Sequence, residues 1–144
     1  MDLKLWRYYI SRWSNKNQLS IHKKYFQFQI PREEIFITSK LWNTFHQPED
    51  VEPACKTTLA NLGLDYVDLY LIHWPTGLKK PEDVANCFPR DENGVLIYDP
   101  VDPTETWLAM ESLVGKGLCK SIGLSNFNSV QIDDVLKRGT VSYF

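Results

Sequence analysis

Apolar residues along this chain arrive in three short, nearly unbroken runs, each closed by a polar side chain. Ile35-Phe36-Ile37-Thr38-Ser39 leads to Lys40, Leu69-Tyr70-Leu71-Ile72 leads to His73, and Ile122-Gly123-Leu124 leads to Ser125 and Asn126. Runs of this length, rich in β-branched and aromatic residues, predict strands buried on both faces. Between them the period changes. Val51, Ala54, Cys55, Thr58, Leu59 and Leu62 fall on one helical face, with Pro48 and three acids at its start and Gly63 at its end. Pro53 is tolerable there because it lies within the first two turns. A second helix is expected from an N-cap at Thr104 to Gly117, with Leu108, Met110, Leu113 and Val114 as its core stripe. A third is expected over Ser129 to Arg138, with Ile132, Val135 and Leu136 on its inner side. Strand, loop and helix in alternation predict parallel strands covered by helices, a class that gathers ligands at the C-terminal ends of its strands.

Period-two geometry sharpens that expectation. If Lys40 points to one side of the sheet, so do Thr38 and Phe36; if His73 does, so do Leu71 and Leu69. Lys40 and His73 would then share a pocket. Position and composition alone leave two readings open, since a lysine at a strand end can send its ammonium to solvent and a histidine after an apolar run can be a satisfied core residue. The stretch from Pro75 to Pro103 holds five prolines and the turn dipeptide Asn93-Gly94. It reads as a lid or substrate loop in which Leu96-Ile97-Tyr98 forms a hairpin arm.

Charge separates the first thirty residues from the rest. They carry a balance of +5 within a chain of net charge −2. Leu3, Trp6, Ile10 and Trp13 at helical spacing admit a basic amphipathic helix, suited to a membrane surface or an organelle-targeting peptide; a poorly ordered extension is the preferred expectation. The whole-chain charge gives no bias toward nucleic acid or membrane, and no apolar run reaches transmembrane length. Cys55, Cys87 and Cys119 are odd in number and lack metal-ligand spacing. They predict reduced thiols in a cytoplasmic protein with no metal site, Cys55 belonging to the core.

The wording of the segments adds a resemblance. Ile35-Phe36-Ile37-Thr38-Ser39-Lys40-Leu41-Trp42-Asn43 resembles the lysine strand of the aldo-keto reductases. The stretch from Leu62-Gly63-Leu64-Asp65-Tyr66 through Leu71-Ile72-His73-Trp74-Pro75 resembles their histidine strand. Gly123-Leu124-Ser125-Asn126-Phe127 resembles their third signature. The resemblance runs from about Pro31 to Gly139 and is greatest to the aldehyde and aldose reductase branch. It implies an α/β fold, here a partial (β/α)8 TIM barrel of about three βα units over residues 31–139, with divergent segments at 1–30 and 140–144. It also implies an oxidoreductase that reduces aldehydes or ketones by hydride transfer from NADPH. In such enzymes a tyrosine protonates the carbonyl oxygen, a lysine matched by Lys40 lowers that tyrosine's pKa, and a histidine matched by His73 orients the carbonyl. Ser125 and Asn126 match residues that hold the nicotinamide carboxamide, and Trp74 and Trp42 match aromatic walls of the substrate pocket.

The chain departs from the pattern upstream of the lysine strand. The family's aspartate, four residues and a tyrosine are not matched by Tyr8, Tyr9 or Tyr25, and Asp2 is the one acid in that stretch. A complete barrel of this type takes roughly 250 residues. Two classes of function are therefore expected: an NADPH-dependent carbonyl reductase, or a catalytically inactive fragment that associates with itself or a relative through open strand edges.

Overall fold

A computed structural model of the protein describes residues 6–9, 31–83 and 85–140. Strands β1 (Trp6–Tyr9), β2 (Ile35–Leu41), β3 (Val67–Ile72) and β4 (Cys119–Leu124) form one sheet in the order β1-β2-β3-β4, every neighbouring pair parallel. Helices α1 (Pro48–Leu62), α2 (Pro103–Gly115) and α3 (Ser129–Arg138) follow β2, β3 and β4 in turn. Three βα units are thus realised, with one further strand before them. For residues 6–9 that strand corrects both the preferred reading of a poorly ordered extension and the helical alternative: they pair with β2 from Trp6 opposite Ile35 to Tyr9 opposite Thr38. A sheet edge offering backbone partners outweighs a weak local periodicity. The rest of residues 1–30, and the tail beyond Thr140, lie outside the described residues.

Burial along β2 alternates strictly. Ile35, Ile37, Ser39 and Leu41 are buried, while Phe36, Thr38 and Lys40 are half-buried. Both faces were expected to be fully buried. Only the helix-covered face is, because a closed barrel packs its inner face with side chains from strands opposite, and the four described strands cannot do so. The buried face carries the core, in which Tyr70, Ile72 and Ile122 meet Val51, Cys55, Leu59 and Leu62 of α1 and Trp107, Met110 and Leu113 of α2. Helix α2 faces inward differently from expectation: Trp107 is buried and Leu108 is 43 % exposed. Its N-cap is Asp102, whose carboxylate accepts the N–H of Thr104 at 2.9 Å; Pro103 occupies the first helical position and Thr104 is buried instead. On α3, Val135 is buried but Leu136 is 44 % exposed. The helix opens with a capping box between Asn128 and Gln131. Helix α1 runs through Pro53 and ends at Gly63 as expected.

Two polar clusters underlie the sheet. At the N-terminal ends of the strands, Asp68 of β3 is 5 % exposed. Its Oδ2 accepts from the backbone N–H of Ile37 at 2.9 Å and from Arg32 at 2.8 Å, and Lys120 of β4 lies 3.1 Å from Oδ1. Arg32 also donates to the carbonyls of Ile35 and Tyr66 and lies over the Tyr66 ring. One carboxylate thereby ties β2, β3 and β4 together. Burial alone would raise its pKa, but the Ile37 N–H and the Arg32 and Lys120 cations hold it below the ordinary carboxylate value. At the other end, His46 is 2 % exposed beneath the stems of the 75–102 loop, and neither ring nitrogen has a hydrogen-bond partner. Burial, partly countered by Asp99, lowers its pKa to about 4.

These clusters set separate pH windows. His46 is neutral in the fold, so the unfolded chain binds the extra proton between the ordinary value of 6.5 and about 4. Stability should fall over that window by about 3 kcal/mol. Urea denaturation from pH 7 to 4 should show this slope, and His46→Leu should flatten it. The Asp68 carboxylate contributes above its ordinary value and loses that contribution only as pH falls through its lower folded value. Asp68→Ala should cost about 3–5 kcal/mol at pH 7, the penalty for stripping a buried charge cluster of one member. An unchanged urea midpoint would contradict the proposed tie between the strands.

Candidate active site

Lys40 and His73 are brought to one rim by strand register. Lys40 of β2 pairs with Leu71 of β3, and His73 follows Leu71 by two residues, so the two side chains leave the sheet on the same face. The His73 N–H donates to the Leu41 carbonyl at 3.2 Å, extending the ladder one step past the last paired residue. Leu71 in turn pairs with Gly123 of β4. A Cβ at Gly123 would stand 2.7 Å from Leu71 Cδ2, so glycine leaves room for the leucine side chain there. Ser125 comes next, its N–H donating to the Ile72 carbonyl at 3.0 Å. Asn126 adopts the left-handed backbone conformation, φ 64°, which asparagine tolerates better than most residues. Its Nδ2 donates to the His73 carbonyl at 2.7 Å and to Ser125 Oγ at 3.1 Å. With both amide hydrogens engaged, the group it can offer a ligand is the amide oxygen.

Electrostatics follow from this convergence. The Lys40 pKa is lowered by partial burial. That of His73 is lowered first by burial and then by the Lys40 charge. Both effects disfavour imidazolium, so His73 is a neutral donor at pH 7. A neutral imidazole beside an ammonium suits the oxygen of a polarised carbonyl, on which negative charge develops during reduction.

The two tryptophans differ. Trp42, directly after β2, is buried, and its ring meets the His73 ring edge-on at 5.1 Å and 72°. Trp74 is 46 % exposed and stacks on His73 at 6.1 Å and 23°. Described residues of the 75–102 segment cover this rim as a lid, Cys87 and Phe88 meeting Trp42. The expected arm forms around the Asp91–Gly94 turn, with Leu96 bridging Arg90 and Tyr98 bridging Leu78. Its stems join where the Asp99 N–H meets the Gly77 carbonyl at 3.1 Å. They are fixed by the Gln47–Asp99 hydrogen bond, the Lys80–Asp50 ion pair and the Leu78 N–H on the Asn43 carbonyl. The sequence did not single out His46, Asp68 or Phe88, and it marked Cys87 only as a free thiol. Asp68 carried a usable signal, an acid inside an apolar strand run. A Cβ at Gly77 would lie 2.5 Å from the Asp99 carbonyl oxygen. The close approach of the stems therefore requires glycine.

Among the described residues, no three His, Cys, Asp or Glu side chains are grouped to hold a metal, and no helix is long and apolar enough to cross a membrane. All three cysteines are free, and burial pushes Cys55 up to about 12 and Cys119 up to about 11.

Residues 9–143 match the model of the Aldo/keto reductase family. The chain is 60 % identical over 112 residues to aldo-keto reductase family 1 member A1 of Gallus gallus, and 55 % identical over 112 residues to that of Homo sapiens. Each alignment covers 78 % of this chain but 33 % and 34 % of the relative, so the chain spans about a third of the curated relatives it matches. Among solved structures it superposes on an aldose reductase from Schistosoma japonicum with a TM-score of 0.88 and 45 % identity, covering 96 % of this chain and 46 % of that one. On an aldose reductase from Giardia lamblia the TM-score is 0.82 and the identity 35 %, covering 96 % and 47 %. The four parallel strands with their helices are thus part of a (β/α)8 barrel, and the chain belongs to the aldo/keto reductase family.

Proposed function

We propose that the chain carries the carbonyl-binding part of an NADPH-dependent reductase that converts aldehydes or ketones to alcohols. The observation that carries this reading is the delivery of Lys40 and His73 to one face by adjacent parallel strands, with His73 held neutral. His73 would donate a hydrogen bond to the carbonyl oxygen, and the Lys40 ammonium would favour the charge growing there. Trp74 and Trp42 would bound the substrate, and Ser125 with the Asn126 amide oxygen would hold the nicotinamide carboxamide. Bound NADPH would supply the hydride. The Asn126 geometry supports that fit, because its strained backbone and committed Nδ2 fix the orientation of the remaining oxygen. Three free thiols suit a reducing compartment, and we place the reaction in the cytoplasm.

The upstream aspartate–tyrosine pattern expected of a proton donor has no match in the sequence. Turnover should therefore be slower than that of a complete relative by at least about 10²–10⁴-fold, the share of the proton donor alone. The purified chain with NADPH and a reactive aromatic aldehyde should show a slow loss of nicotinamide absorbance. Lys40→Met and His73→Leu should each reduce it further, by roughly tenfold or more, the scale of removing a group that stabilises developing charge. No turnover by the unaltered chain at high concentration would contradict the reading.

A second reading has its own support. The outer edge of β4 has no strand partner among the described residues, and Phe36, Leu69 and Leu71 are only half-buried on the inner face. Unpaired parallel edges beside apolar surface favour association. Light scattering should then show concentration-dependent self-association, whereas a stable monomer that unfolds cooperatively would exclude it.

A further inference from the structure

We infer that Trp42 is a positioning residue that latches the lid to His73: the lid backbone holds its indole N–H, and its ring fixes the wall against which the imidazole stands. The inference rests on the reading of His73 as the carbonyl-binding group and adds a route by which lid closure controls it.

The contacts form a continuous chain. Trp42 Nε1 donates to the carbonyl of Cys87, in the lid, at 2.9 Å. The next lid residue, Phe88, places its ring edge-on to the indole at 5.3 Å and 86°. Another contact of the same indole is His73, again edge-on. Trp42 is thus held between lid and histidine, and at 7 % exposure it has little freedom to turn. Trp74, another ring beside His73, is exposed and gives less constraint.

The indole has a single donor and no acceptor. While the lid is down, that donor is satisfied by the Cys87 carbonyl. If the lid lifts, a largely buried N–H loses its partner, and burying an unsatisfied donor is unfavourable. Lifting also withdraws the Phe88 ring edge, so the indole is free to turn and solvent reaches the imidazole it stands against. Lid closure and histidine placement therefore become one event. If Trp42 were only a substrate wall, changes at Cys87 and Phe88 would not pass to His73 through the indole.

The test needs neither substrate nor cofactor. In the full chain, NMR would follow exchange of the Trp42 indole N–H and the titration of His73, whose charged neighbour on the adjacent strand is Lys40. The Trp42 indole should exchange slower than that of exposed Trp74 by roughly tenfold or more. Phe88→Ala, a lid change that leaves Lys40 and His73 in place, should speed that exchange and move the His73 midpoint up toward 6.5 as solvent enters. Trp42→Phe keeps a ring but deletes the donor, and should loosen the lid, read as faster exchange of the Ile97 N–H that bonds the Pro89 carbonyl. Three results would overturn the latch: a Trp42 indole exchanging as fast as that of Trp74, a Phe88→Ala chain whose His73 titrates as before, or an Ile97 N–H unaffected by Trp42→Phe. Because no turnover is measured, failure of the latch leaves the reductase reading standing, and absence of NADPH oxidation leaves the latch standing.

Discussion

The register between β2 and β3 is the constraint on which the rest depends. Two parallel strands paired with Lys40 opposite Leu71 put the lysine and the histidine two residues beyond Leu71 on the same side of the sheet. A slip of one residue would turn one of them into the helix-packed core, where its charge or polar ring would be costly. Several features resist that slip. The outward residues Ile37, Leu41, Tyr70 and Ile72 are locked against α1 and α2. Below them, Asp68 binds the Ile37 backbone and two cations, pinning β2 and β4 to β3 at a fixed height. The placement of Lys40 and His73 at one end of the strands is therefore tied to an ionic cluster at the other.

The same ladder orders the parts around the rim. The Leu41 carbonyl receives the His73 N–H, and the Ile72 carbonyl receives the Ser125 N–H, so Trp42, His73 and Ser125 leave three neighbouring strands at matching heights. Asn126 then returns its side chain to the His73 backbone. The histidine is held from below by the sheet, from one side by Asn126, and from another by Trp42 under its lid. In the proposed reaction such support matters, because a donor's effect on a developing charge depends on geometry within fractions of an ångström. The lid stems meet over His46, which burial keeps neutral without a partner for either nitrogen. Acid would charge that ring beneath the joint.

Much of this was legible in the residues because it depends on local rules. Strand ends and period two placed Lys40 and His73 together. The helical stripe from Val51 to Leu62 and the stop at Gly63 read directly. The failures have physical causes. Thr104 and Asp102 are both good N-caps, and Pro103 at the first helical position decided between them. In α2 the buried face is rotated toward Trp107, because a large aromatic fills more of the core than Leu108. The strand at residues 6–9 obeys a partner strand rather than its own apolar spacing. The ionic cluster joins Arg32 to Asp68 across 36 residues, and the latch joins Trp42 to the Cys87 backbone across 45. A backbone carbonyl acceptor leaves no mark in a sequence.

The convergence of ammonium and imidazole is tested most directly by removing the ammonium. NMR titration of His73 should be compared between the unaltered chain and Lys40→Met, a change that keeps the aliphatic stem. A cation facing an imidazole opposes its protonation, so the midpoint should start below 6.5 and rise when Lys40 loses its charge. A His73 that titrates identically in both proteins would mean that the two side chains do not share a cavity, and the account built on them would fail.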